Sequence, residues 1–184
     1  MRLNKILKNA LLVISAGIIL TACATKKEVA VEAPKKEETK IEKEKEEVTK
    51  IEKIAGQMQG DVYVGTDSVK YLADGVADRV FFATNESILT TASRETLRAQ
   101  AAWLRANSNI TVVLEGHADE RGTREYNLAL GERRANAAKD YLMTYGVSSD
   151  RITVISYGKE RPVDSGSNPL AWSKNRRSVT VKAN

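Results

Sequence analysis

The sequence predicts a single α/β (α+β) sandwich, a β-α-β-α-β-(α)-β domain with helices on one face of a small mixed sheet, preceded by a disordered charged tether. Three observations carry this. From Arg79 to Lys182, short β-branched runs alternate with stretches of helical periodicity. The helical stretches are bounded by capping or stopping residues. Upstream, residues 24–54 hold nine lysines, nine glutamates and no aromatic residue, a composition that cannot bury enough surface to fold alone.

In chain order, Val80-Phe81-Phe82 reads as a short strand. Thr90 or Thr91 caps a helix on which Leu97, Ala101 and Leu104 recur at helical spacing beside Trp103, until Asn107-Ser108-Asn109 ends it. Ile110 to Leu114, β-branched and apolar, is the second strand. A long helix follows from about Thr123 to Tyr145, with Leu128, Gly131, Ala135, Ala138 and Leu142 on one face and Gly146 as its stop. Ile152 to Tyr157 is a third strand, Gly158 to Pro169 is rich in turn residues, Leu170 to Asn175 makes a short helical turn, and Ser178 to Val181 alternates as the last strand. The crossover rule points to parallel pairs among the first strands. Residues 56–78, punctuated by Gly56, Gly60 and Gly65, either add a strand or extend the tether.

A chain of 184 residues, 42% hydrophobic and 29% charged, holds one such domain plus appendages rather than two domains. The net charge of +5 includes Arg2, Lys5 and Lys8 in the first residues; without them 26 basic face 24 acidic residues. That near balance, with both signs interspersed, excludes the concentrated basic face of a nucleic-acid binder. Cys23 is the single cysteine, so neither an intrachain disulfide nor a clustered-thiolate zinc site can form.

The three early charges precede Ala10 to Leu20, an apolar run of 11 residues, in the order of a secretory signal peptide. A spanning helix needs about 20 apolar residues, so cleavage is expected rather than retention. Leu20-Thr21-Ala22-Cys23 resembles a bacterial lipobox, which implies cleavage before Cys23 and a lipid on its thiol as the only covalent addition, with no other cofactor. Each buried methylene contributes ~0.8 kcal/mol, so two or more acyl chains anchor stably. Ala24, where an aspartate commonly retains lipoproteins in the inner membrane, favours the outer membrane. The segments are then 1–22 signal peptide, 23–55 lipidated cysteine and charged linker, 56–78 lead-in, and 79–182 domain. Within the linker Ile41, Val48 and Ile51 fall at helical spacing, which leaves a helix open as the alternative to a solvated tether.

The densest polar signal is Glu115-Gly116-His117-Ala118-Asp119-Glu120-Arg121-Gly122-Thr123. With Tyr126-Asn127, Leu130 to Ala135 and Ser156-Tyr157-Gly158-Lys159-Glu160, it resembles the OmpA-like C-terminal domain family over Arg79 to Lys182, and within it the branch of peptidoglycan-associated lipoproteins. The resemblance implies a domain facing the periplasm that binds the diaminopimelate of the peptidoglycan stem peptide. Asp119 would accept the ammonium of that zwitterion, and Arg134 would clamp its carboxylate with a planar fork. Phe82, Ala83, Arg121 and Leu130 would line the groove; His117 and Asn127 would support it. The family usually carries Phe-Asp where this chain has Phe82-Ala83, so that wall must act through backbone or shape. The resemblance also implies Tol-system partners, TolB and TolA, and a role in envelope integrity and cell division. Glu115, His117 and Asp119 alternate as metal ligands might be arranged on a strand, but His117 is the only histidine and no nucleophile has a base beside it, so an enzyme is not expected.

Overall fold

The computed structural model describes residues 56–183 together with Lys43, Glu46 and Thr49. The signal peptide over 1–22, the lipidation site Cys23 and the remainder of the linker lie outside the described residues. At Lys43, Glu46 and Thr49 the backbone is helical and the residues are exposed, the alternative that the helical spacing of the linker leaves open.

The lead-in forms two small hairpins, β1 (Met58–Gln59) with β2 (Val62–Tyr63) and β3 (Tyr71–Ala73) with β4 (Val76–Ala77). The central sheet has four strands: β5 (Arg79–Phe81), β6 (Val112–His117), β7 (Ile152–Gly158) and β8 (Arg177–Lys182), in the order β5-β8-β6-β7. Only β6 and β7 are parallel; β8 runs antiparallel to both β5 and β6. The expected parallel pairing among the first strands therefore holds for one pair, because the last strand inserts between the first and second.

Helix α1 (Thr91–Ala106) starts at Thr90, whose side chain accepts the Ser93 N–H at 3.1 Å, and ends at Asn107. Helix α2 (Arg124–Thr144) is capped by Thr123 Oγ1 accepting from Tyr126 N at 3.2 Å, and it stops at Gly146, whose φ of 84° suits a residue without a side chain. Helix α3 (Pro169–Asn175) uses Asn168 as its cap and Pro169 at its first position. None of the described helices is long and apolar enough to cross a membrane.

Period-two alternation divides β6 between two environments. Val112 and Leu114 enter the core with Val80, Phe82, Leu97, Leu104, Ala135, Ala138 and Leu142, while Glu115 and His117 point to the opposite face. On the helix side Gly116 meets Gly131 of α2: a Cβ on Gly116 would collide with the Gly131 carbonyl, and one on Gly131 with Ser156 Oγ. This close approach presses the first half of α2 onto the C-terminal ends of β6 and β7. Asp119 and Arg134 are thereby brought to the same end of the sheet.

Candidate binding site at the end of β6

Beyond His117 the chain leaves the sheet but stays tied to it, since Ala118 N–H donates to the Gly158 carbonyl at 2.8 Å. The loop is braced from within, with Asn127 Nδ2 donating to Arg121 O at 2.8 Å and Lys159 Nζ donating to Glu120 O and Gly122 O at 3.2 and 2.8 Å. Asn127 thus orients the loop and not Arg134. Asp119 stands in this frame, only 7% exposed.

Both carboxylate oxygens of Asp119 are engaged by arginines. Arg121 donates from its backbone N and Nε to Oδ1, each at 3.1 Å, and from Nη2 to Oδ2 at 2.7 Å; Arg176 Nη1 reaches Oδ2 at 3.2 Å. Burial alone would raise the Asp119 carboxyl, but the hydrogen bonds from the Arg121 side chain and backbone and from Arg176 outweigh it and hold it below the usual carboxylate range. The two arginines differ in setting. Arg176 is buried and also donates to the carbonyls of Phe82 and Asp61. The Arg121 side chain is 43% exposed and lies 4.3 Å over the Trp172 ring, whose Nε1 is tied to Glu120 Oε1 at 2.9 Å.

Arg134 occupies a different position from the open clamp implied by the resemblance. It has no exposed surface, and its guanidinium donates to three main-chain carbonyls: Nε to Glu86 at 2.8 Å, Nη1 to His117 at 2.8 Å and Nη2 to Ala83 at 2.9 Å. Burial, with Arg176 adding and Asp119 opposing, lowers it to about 10, still charged at neutral pH. Its fork therefore pins the 83–86 turn to the end of β6. Ala83, where the family usually carries aspartate, contributes its backbone carbonyl to Arg134. Phe82 and Leu130 are buried beneath the site, and Arg134 lies 5.4 Å from the Phe82 ring. Asp119 and Arg134 share the region without pairing directly.

His117 departs from its expected role. Its carbonyl belongs to the site through Arg134, but its ring lies on the other face of the sheet, where it makes only a weak hydrogen bond with the Arg161 backbone. The strand ends at His117, so Asp119 turns away from Glu115 and His117 toward the arginines, and no group of ligands able to hold a metal forms among the described residues. Arg176 and Trp172 were not anticipated from the sequence. The signal that could have flagged Arg176 is the Asn175-Arg176-Arg177 run entering an apolar strand, where adjacent cations must find separate partners.

The chain is similar to known proteins. It is 54% identical over 106 residues to a peptidoglycan-associated lipoprotein of Mesorhizobium japonicum, covering 58% of this chain and 63% of the relative. It is 52% identical over 106 residues to that of Agrobacterium fabrum, covering 58% of this chain and 60% of the relative. These alignments span less than two thirds of either relative. The crystal structure of the peptidoglycan-associated lipoprotein from Burkholderia pseudomallei superposes with a TM-score of 0.56 at 34% identity, over 58% of this chain and 90% of that one. The model of the OmpA family matches residues 81–176, more than half of the chain, and the chain belongs to the OmpA family.

Proposed function

We propose that the chain is an outer-membrane lipoprotein, anchored through Cys23, that binds peptidoglycan non-covalently at the Asp119 site and so ties the membrane to the wall. The observation that carries this reading is the asymmetric arginine pair on a nearly buried carboxylate. A ligand ammonium can take the place of the exposed Arg121 while Arg176 stays. The diaminopimelate of the stem peptide fits, because its free end presents an ammonium for Asp119 and a carboxylate for the guanidinium that is released. The similarity to peptidoglycan-associated lipoproteins supports the polymer as ligand. Arg134 acts by shaping the site, holding the 83–86 turn and the end of β6 in register. Exposed ion pairs contribute only ~0–1 kcal/mol each, so retention at the wall relies on partial desolvation and on many tethered copies facing one polymer.

Sedimentation with purified peptidoglycan tests this. Wild-type chain pellets with the polymer and is released by free diaminopimelate, whereas Asp119→Asn stays in the supernatant while keeping the circular dichroism spectrum of the folded chain. Its thermal midpoint is lowered, because the buried Arg176 loses its counter-charge. Undiminished pelleting of Asp119→Asn would remove the site from the function. The family resemblance extends the proposal to TolB and TolA as partners. Capture of Tol proteins from envelope extract, reduced by soluble muropeptide, is the expected result; capture of neither removes that extension.

A further inference from the structure

The sheet face opposite the helices carries a groove of about 600 Å³ that the Asp119 site does not use. Five cationic side chains line it against two carboxylates, those of Asp78 and Glu115. Asp78 is spent on Arg79, which it grips bidentately at 2.8 and 2.8 Å. Glu115 comes no nearer to His117 Nε2 than 3.7 Å, outside hydrogen-bond range. One nitrogen more than nine-tenths buried lacks a partner here, Nε of Arg177, which is 6% exposed. The ring of His117, 2% exposed, makes no well-formed hydrogen bond, only a weak one with the Arg161 backbone. The other nitrogens of Arg177 reach only the carbonyls of Asn175 and Arg161. Arg161 itself is exposed and rests 3.8 Å over the Tyr157 ring.

We propose that this groove is a second binding site, taking a carboxylate or phosphate oxyanion between Arg161, Arg177 and His117. A water molecule would satisfy the hydrogen bonding but leave the excess positive charge. An oxyanion answers both, accepting from Arg177 Nε and from a neutral His117 N–H while offsetting the guanidiniums. Arg161, the exposed member, is able to turn from Tyr157 onto the anion. The state of His117 agrees: burial first, then Arg177, Arg79 and Arg161, lower its pKa to about 3 against a weak hydrogen bond with the Arg161 backbone, and an anion in the groove would offset the part due to the arginines. Such an oxyanion is found on peptide α-carboxylates and on the phosphates of lipid headgroups and sugars.

Because His117 is the only histidine, its ring protons report the site by proton NMR of the full chain. Sodium acetate and sodium phosphate are titrated separately at neutral pH against sodium chloride of matched ionic strength. The expected result is a saturable shift of the His117 ring signal at neutral pH with acetate, phosphate or both, and none with chloride. Where phosphate binds, the His117 titration midpoint rises by about one pH unit at saturation, since phosphate keeps its charge at the low pH where His117 titrates. Saturation by acetate alone assigns the site to carboxylates, and by phosphate alone to phosphates. Binding weakens about tenfold in Arg161→Met, an exposed position where folding is not at stake, and is unchanged in Asp119→Asn. Shifts that never saturate, that chloride reproduces, or that persist unweakened in both Arg161→Met and Arg177→Met would overturn the proposal. So would loss of the shift in Asp119→Asn, which would place the anion at the other end of the sheet.

Discussion

His117 makes the fold sensitive to acid in a pH range where no ordinary carboxylate titrates. In the folded chain its pKa lies near about 3, pushed down by burial and by the surrounding arginines, against a reference value of 6.5. A group depressed in the folded state is protonated first in the unfolded chain, so stability is full above the unfolded value and is lost as pH falls toward the folded one. A depression of that size corresponds to about 5 kcal/mol over the whole range, at about 1.4 kcal/mol for each unit. Between pH 6 and pH 5 the unfolded histidine is mostly protonated and the folded one is not, so about 1.2 kcal/mol should be lost in that step alone. Carboxylates with pKa near or below about 4 contribute little there, and Asp119, held lower still, titrates later. Urea unfolding at pH 7, 6 and 5, in chloride and a buffer lacking carboxylate and phosphate, measures the step. His117→Gln, neutral at every pH, should show almost no change between pH 6 and pH 5. If wild type and His117→Gln lose stability in parallel, the ring is accessible to protons in the folded chain and the reasoning fails.

Three further outcomes follow from the geometry. Arg134→Met strips donors from the carbonyls of Ala83, Glu86 and His117, and at ~1–3 kcal/mol for each buried group left unpaired it should destabilise by about 3 kcal/mol or more in urea unfolding; an unchanged midpoint would mean that the guanidinium stands free in solution. Gly116→Ala drives a methyl into the backbone of Gly131, which cannot yield, so it should cost more than Gly131→Ala, whose first clash is with the Ser156 side chain. Adding Ser156→Gly should recover part of the Gly131→Ala loss and none of the Gly116→Ala loss, read as thermal midpoints; equal recovery would show that the helix shifts instead. Arg121→Met removes the partly exposed partner of Asp119 and should change stability by less than about 1 kcal/mol. In a competition assay it should also lose the preference for diaminopimelate over lysine, which lacks the second carboxylate; a retained preference would show that another group reads the carboxylate.

What was legible in the sequence was what local chemistry decides. Thr90 and Thr123 announce the starts of α1 and α2 because a hydroxyl at that position accepts an N–H three residues on, and Gly146 announces a stop because left-handed backbone favours glycine. Asp119 and Arg121 are two residues apart, so their pairing lies within the reach of one loop. The β-branched run predicts the second strand over Ile110 to Leu114, but it runs from Val112 to His117. Ile110 is drawn out of the sheet because its carbonyl is taken by Arg151 Nε at 2.9 Å, from 41 residues away. Gly116 and His117 join the strand because β7 and β8 pair with that end. The hairpins of the lead-in were not legible for the same reason: Tyr63 is fixed by packing 4.7 Å from the Phe81 ring, not by any propensity of its own strand. Arg176 meets Asp119 across 57 residues, and the inward turn of Arg134 depends on carbonyls up to 51 residues distant. No periodicity encodes such pairings.

The arginines around Asp119 differ in how many bonds each would lose by moving, and that difference decides how the site can work. Arg176 holds Asp119, Phe82 and Asp61 together from inside the protein, so displacing it would expose a carboxylate and release two carbonyls at once. Arg134 holds three carbonyls, of which Ala83 O would keep only the Glu86 N–H at 3.2 Å. Arg121 gives up its bonds to one carboxylate and a long one to Thr84 Oγ1 at 3.5 Å, and its guanidinium already faces solvent, with Trp172 and the Glu120 carboxylate beside it. An incoming ammonium replaces one cation by another on Asp119, so the buried charge stays balanced throughout the exchange. A ligand bearing only an ammonium leaves Arg121 to return to water, whereas one that also bears a carboxylate gives it a new partner at the mouth of the site. Under the proposed function, selectivity for a zwitterion over a simple amine would then arise from the arginine that moves, while the two that stay fixed would maintain the shape into which the ligand fits.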